Sequence, residues 1–226
     1  TDSNLEEDKQ IQKTAIEGTN NILELIPPTC KIVFPSTHVV YEGFDVAKFD
    51  ITEEEPPTPK LTYSKGKTQN EIDIKASGKD HVILRLASVY GYSTDTMRMN
   101  IMPNLFSRMA SQNSTIKLFS GGIQHKSLIG LIDVARAFKF MGDGDIKNET
   151  FHLSNETTTI KEVADICKKH NPLLNIISTD DEIPNLGYTI SNKKLLKTGF
   201  NFLYNLDDSI KEMISNWSPR DINPGL

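Results

Sequence analysis

The stretch KIVFPST, residues 31–37, is a short apolar run that ends on two hydroxyl side chains, Ser36 and Thr37. Such a run reads as a buried strand, and strands buried on both faces belong to parallel sheets flanked by helices. In open α/β sheets ligands are held at the carboxyl ends of the strands, where these two hydroxyls stand. Upstream, apolar residues recur at helical spacing from Lys9 to Ile26 (Ile11, Ala15, Ile22, Leu25, Ile26), and Pro27-Pro28 stops the run. Downstream, a helix is expected from Tyr63 to about Ser77, ended by Gly78, and HVILRL, residues 81–86, reads as a second buried strand. The order helix, strand, helix, strand implies a parallel sheet.

Between Thr37 and Tyr63 the acidic, proline-rich DITEEEPPTPKL, residues 50–61, reads as an irregular loop on the rim of a site, its three glutamates solvated. After SVYGYS, residues 88–93, the pattern becomes less regular. A helix over about Pro103 to Ser111 and a strand TIKLF lead into the glycine loop SGG, and a helix follows over about Asp133 to Phe140. The strand TFHLS, the helix TIKEVADICKKH and the amphipathic LDDSIKEMISNW complete the pass.

A chain of 226 residues can bury a real core, as one domain or as a large lobe with a smaller one. The net charge of -5 argues against a nucleic-acid or acidic-membrane surface. No apolar run approaches the roughly 20 residues of a membrane helix, and TDSNLEEDKQ lacks the regions of a signal peptide, so a cytoplasmic protein is expected. Cys30 and Cys167 lie far apart without ligand-spaced partners, which suggests neither a disulfide framework nor a metal site.

TYSKGK, residues 62–67, sets Tyr63 and Lys67 four apart, so that on a helix they share a face. A phenol with a pKa of about 10 is a poor base near neutrality unless a nearby cation favours the phenolate, and Lys67 is placed to do so. The same residues would also make a plain polar helix start behind a strand that merely ends in hydroxyls.

An ordered set of segments resembles the extended short-chain dehydrogenase/reductase family, the NAD-dependent nucleotide-sugar epimerases and dehydratases. AIEGTNNILELI resembles the family's NVxGTxNLLEA helix, STHVVYE its hydroxyl-bearing strand end, and YSKGK its YxxxK. LRLASVYG, NIMP, LFSGGIQHKSLIGLIDVARA, FHLSNETTTIKEVADI and ISNKKLLKTGFNF follow in family order, so the likeness spans nearly the whole chain. It implies an α/β fold: a Rossmann-like doubly wound parallel sheet, its N-terminal part missing, with a smaller α/β substrate-binding C-terminal lobe. Residues 1–98 would form the partial NAD(P)-binding part, and 99–226 mainly the sugar-nucleotide lobe, with some segments returning. None of the thirteen glycines forms GxGxxG or GxxGxxG, so a glycine-rich βαβ unit is expected before Thr1.

The resemblance implies Tyr63 as catalytic base, Lys67 as its electrostatic partner and ribose ligand, and Thr37 as the hydroxyl that orients the sugar alcohol. Ser36 and Ala87 would join Tyr63 and Lys67 around the cofactor, NAD or NADP. Thr37, Ser88, Asn100, Phe119 and Lys126 would meet the nucleotide sugar. There are departures. His38 and Val39 replace the acidic pair of the 4,6-dehydratases, which argues against that branch, although His38 could act as an acid. Glu42 stands where glycine is usual, Ser88 where asparagine is usual, and Lys126-Ser127 where Arg-Asp is usual. The expected activity is an epimerisation through a transient keto sugar. A keto-sugar nucleotide reductase and a non-catalytic assembly subunit are the alternatives. A homodimer through a four-helix interface is implied, built from the helices around residues 9–26 and 63–77.

Overall fold

The computed structural model describes residues 5–94, 97–183 and 186–217. Its elements are α1 (Leu5–Leu25), β1 (Ile32–Thr37), β2 (Lys48–Ile51), α2 (Thr62–Ala76), β3 (His81–Leu86), β4 (Ser88–Tyr90), α3 (Met102–Ser111) and β5 (Thr115–Phe119). They continue with β6 (His125–Gly130), α4 (Leu131–Asp143), β7 (Glu149–Leu153), β8 (Glu156–Thr159), α5 (Ile160–His170), β9 (Asn175–Thr179), β10 (Tyr188–Ile190), α6 (Lys193–Leu196) and α7 (Leu206–Asn216).

A parallel sheet in the order β1-β3-β7 joins the two apolar runs of the first half of the chain to a strand from the second. Its register aligns Ser36 with Arg85 and Arg85 with His152, so these three residues form one row across the sheet. Val82 and Leu84 of β3 pack with Ala137 and Met141 of α4 in one core, which also takes in Val40, Phe151, Ile190, Leu195 and Phe200. The opposite face receives α2, whose Glu71 reaches Arg85. Helices thus cover both faces, the Rossmann-like arrangement.

A second core joins α3, α5 and α7 around Phe106, Ile116, Leu118, Leu128, Val163, Leu174 and Ile210. Here β4-β6-β8 form a mixed sheet, with β4 and β6 parallel and β6 and β8 antiparallel, while β5 and β9 pair in parallel. The capping box Thr159/Glu162 starts α5, and Asn205 caps α7.

Two expectations for residues 50–61 are corrected. The segment is not wholly irregular, because its first residues belong to β2, which pairs in parallel with β10 and buries Ile51. Nor are all three glutamates solvated: Glu53 is folded inward, and its carboxylate accepts the His152 backbone N–H at 2.7 Å. A buried backbone donor needs a partner, and Glu53 supplies it. Among the described residues no helix is long and apolar enough to cross a membrane, and no group of His, Cys, Asp and Glu could hold a metal ion.

Candidate active site

Thr62 to Ala76 form a helix that begins beside the carboxyl end of β1. Its N-cap, Leu61, offers no side-chain acceptor, and Glu42 takes over that task. One Glu42 oxygen accepts the backbone N–H groups of Lys60 at 3.1 Å and Leu61 at 2.7 Å, together with the Ser64 hydroxyl. Glu42 therefore anchors the turn carrying Tyr63. Gly43 lets the chain pass under this loop, since a Cβ there would lie 2.0 Å from the Thr58 carbonyl oxygen. At the other end Gly78, with φ 69°, leaves the helix in the left-handed region.

A cleft of about 670 Å³ opens at the carboxyl ends of β1 and β3. It brings together Ser36, Thr37, Tyr63, Lys67, Ala87 and Ser88 from the residues singled out in the sequence. Asn100, Phe119 and Lys126 do not line it. Asn100 lies outside and accepts from Arg98 Nε at 3.1 Å, and Phe119 is 55% exposed at the end of β5. Lys126 sits in β6, with burial depressing its pKa.

The protons in the cleft can be assigned from their partners. Thr37 Oγ1 accepts the Val39 N–H at 3.2 Å, which leaves its own proton free for a ligand. Ser36 instead donates to Glu71 Oε1 at 2.5 Å. The Lys67 ammonium donates to the Pro35 carbonyl at 2.7 Å and lies 4.7 Å from the centre of the Phe34 ring. Burial lowers the Lys67 pKa, and Glu71 opposes that shift. Tyr63 is half exposed, and its hydroxyl has no protein partner among the described residues. Tyr63 and Lys67 also line a groove of about 520 Å³ between α1 and α2, so the pair forms a wall between two cavities.

His38 lines the cleft next to Thr37. Its Nδ1 lies 2.9 Å from the Leu86 carbonyl, which can only accept, so Nδ1 carries the proton and Nε2 a lone pair. Burial, with Lys126 nearby, pushes its pKa down to about 4. Near neutrality Nε2 therefore has no proton to give, which suits a structural or substrate-contact role better than that of an acid.

Sequence reasoning did not single out Arg98, Asn104 or Glu71. Arg98 reaches the cleft from an irregular segment with no periodic signal. Buried Asn104 accepts the Gly91 N–H at 3.0 Å and donates to the Arg98 carbonyl at 3.0 Å, bracing the cleft wall. Among the described residues that line the cleft, Lys67 and Arg98 are the charged ones, and no carboxylate accompanies them. In a chain of net charge -5 this concentrates positive potential at one place.

The profile of the family described as NAD dependent epimerase/dehydratase matches residues 1–154. Anthocyanidin reductase from Arabidopsis thaliana is 27% identical over 99 residues, which cover 42% of this chain and 28% of that protein. The match thus spans less than a third of that curated relative. Among solved structures, UDP-glucose 4-epimerase from Thermotoga maritima with UDP-glucose superposes with a TM-score of 0.80 at 21% identity, over 93% of this chain and 71% of that one. UDP-glucuronic acid 4-epimerase from Bacillus cereus, with UDP-glucuronic acid and NAD, gives 0.74 at 18% identity, over 89% and 66%. dTDP-glucose 4,6-dehydratase from Bacillus anthracis in complex with NAD gives 0.75 at 20% identity, over 90% and 67%. At these identities the likeness is one of fold.

Proposed function

Since the chain belongs to the NAD dependent epimerase/dehydratase family, we propose that its cleft serves a nucleotide-sugar epimerase that works through a transient keto sugar. The observation that carries this reading is the convergence of Thr37, Tyr63 and Lys67 on one cleft whose charged lining, among the described residues, is Lys67 and Arg98. A nucleotide sugar brings a diphosphate, which Arg98 would meet at the rim by charge-assisted hydrogen bonds. In the sequence-based assignment Asn100, Phe119 and Lys126 would extend the substrate site beyond the cleft.

The residues present fit the nicotinamide end of the cofactor. Ala87 and Ser88 follow β3 with side chains small enough to admit a flat ring, Lys67 offers N–H donors to a ribose hydroxyl, and Ser36 offers lone pairs. No glycine-rich phosphate cradle occurs within these 226 residues. When bound, the dinucleotide supplies reversible hydride acceptance. Thr37 donates to the reacting sugar hydroxyl and orients it, and Tyr63 removes that hydroxyl's proton, with the Lys67 cation favouring the phenolate. Residues 1–98 would hold the cofactor and 99–226 mainly the sugar nucleotide. The α1 and α2 faces expose Ile11, Ile22, Leu25 and Ile72, a surface that suits a homodimer through a four-helix interface.

The test uses the full-length protein. Titration with NAD and NADP should change intrinsic or cofactor fluorescence, and incubation with UDP- and dTDP-sugars should yield the stereoisomer by NMR without net change in absorbance at 340 nm. Stoichiometric loss of reduced cofactor would favour a keto-sugar nucleotide reductase. Failure to bind either cofactor would overturn the enzyme reading in favour of an assembly subunit.

A further inference from the structure

Glu71 stands one helical turn beyond Lys67 and two beyond Tyr63, on the face of α2 turned to the sheet. It is 2% exposed. Its Oε2 accepts from Arg85 Nη2 at 2.7 Å, while Oε1 accepts from Arg85 Nε at 3.0 Å and from the Ser36 hydroxyl at 2.5 Å. Arg85, itself 3% exposed, gives a further hydrogen bond to Tyr41 Oη at 2.5 Å, and Tyr41 lies 3.0 Å from His152 Nε2.

A guanidinium only donates and a carboxylate only accepts, so the one proton of Ser36 is committed to Glu71. Toward a ligand Ser36 then offers lone pairs alone, in contrast to its neighbour Thr37. Successive residues of β1 are tied to α2 in turn: Pro35 through its carbonyl to Lys67, and Ser36 through its hydroxyl to Glu71.

We propose that Glu71 is a positioning residue of the cleft: it fixes α2 to β1 through Ser36 and to β3 through Arg85, and its carboxylate is the counter-charge that holds Lys67 as an ammonium in its half-buried seat. The catalytic consequence rests on the reading of Tyr63 and Lys67 given above. The charge relation itself does not. Lys67 faces Glu71 and Tyr63 on its own helix, the Phe34 ring and Pro35 carbonyl of β1, and Arg85 of β3 behind Glu71. Asp8 of α1 and Lys60 line the outer groove with it.

The experiment is competitive labelling of amines with trace acetic anhydride across the alkaline range, with the Lys67 peptide quantified by mass spectrometry. It is done on the full-length protein without cofactor or substrate, so a failure of the epimerase reading cannot be mistaken for a failure of this one. Glu71→Gln should lower the Lys67 labelling midpoint by about one pH unit, whereas Glu71→Asp, which keeps the charge, should stay within about a third of a unit of wild type. If Glu71→Gln does not fold, the double variant Glu71→Met/Arg85→Met removes both buried charges and should still lower the midpoint. A Lys67 midpoint unchanged in whichever of these variants is folded would overturn the proposal, as would a full-unit fall in folded Glu71→Asp.

Discussion

Arg85→Met isolates the energetic role of the row that crosses the sheet. The guanidinium is almost fully buried and makes three hydrogen bonds, two to Glu71 and one to Tyr41. Methionine fills a similar volume but leaves the Glu71 carboxylate in a low-dielectric place with the Ser36 hydroxyl as its remaining hydrogen-bond partner and Lys67, one turn away, as a cation that does not contact it. Breaking a buried ion pair from one side costs about 3–5 kcal/mol, because a charge that has lost its hydrogen-bonded counter-ion stays inside. With a urea m-value of about 2.5 kcal/mol/M, the unfolding midpoint should fall by about 1–2 M. Replacing both partners by methionine is a different perturbation: no lone charge remains, and the double variant should recover at least half of the loss. The assay is urea unfolding of the full-length protein followed by circular dichroism and by fluorescence. A single variant that loses less than about 1 kcal/mol would refute the reasoning, and so would a double variant no better than the single one.

Three further outcomes are expected. In the complete protein Tyr63→Phe should abolish hydride transfer while leaving fold and nucleotide binding intact, and Lys67→Ala should lower both turnover and cofactor affinity; near-normal turnover of Tyr63→Phe would remove the base assignment. His38 and His152 are held neutral by burial, with pKa values near 4 and 3, against 6.5 in an unfolded chain. The unfolded state therefore binds more protons below pH 6.5, and stability should be full above that value and fall by about 2 kcal/mol per histidine between pH 7 and 5. Urea midpoints at the two pH values check this, and the slope should shrink in His38→Asn. Glu42→Ala should cost about 1–2 kcal/mol and speed amide hydrogen exchange at Lys60 and Leu61, because these N–H groups lose their acceptor.

The parts of the fold written in long, uniform signals were legible. Two continuous apolar runs became β1 and β3, and the run from Lys9 to Ile26 became α1 with a shift of a few residues at its start. Short strands of mixed polarity were not: β4 and β10 have three residues each, and β2, KFDI, buries only Ile51, so neither alternation nor composition marks them. For the site, Ser36, Thr37, Tyr63 and Lys67 could be found because hydroxyls at a strand end and a Tyr-Lys pair at helical spacing are local patterns. Glu71 was hidden because its meaning lies in Arg85 and Ser36, 14 and 35 residues away. Asn100 precedes α3 and Asn104 lies in its first turn, and nothing in the sequence says which of the two faces inward.

The pairing of β2 with β10 joins residues 48–51 to residues 188–190. Ile190, Leu195 and Phe200 complete the same core that β3 and α4 begin. During synthesis, then, the segment that bears Thr37, Tyr63 and Lys67 leaves the ribosome well before the residues that close its core. Contacts so distant in sequence form slowly, and until they do the nascent first half keeps apolar surface uncovered. Residues on both sides of position 98 thus share one core, and that core is finished only by the last stretch of sequence to emerge.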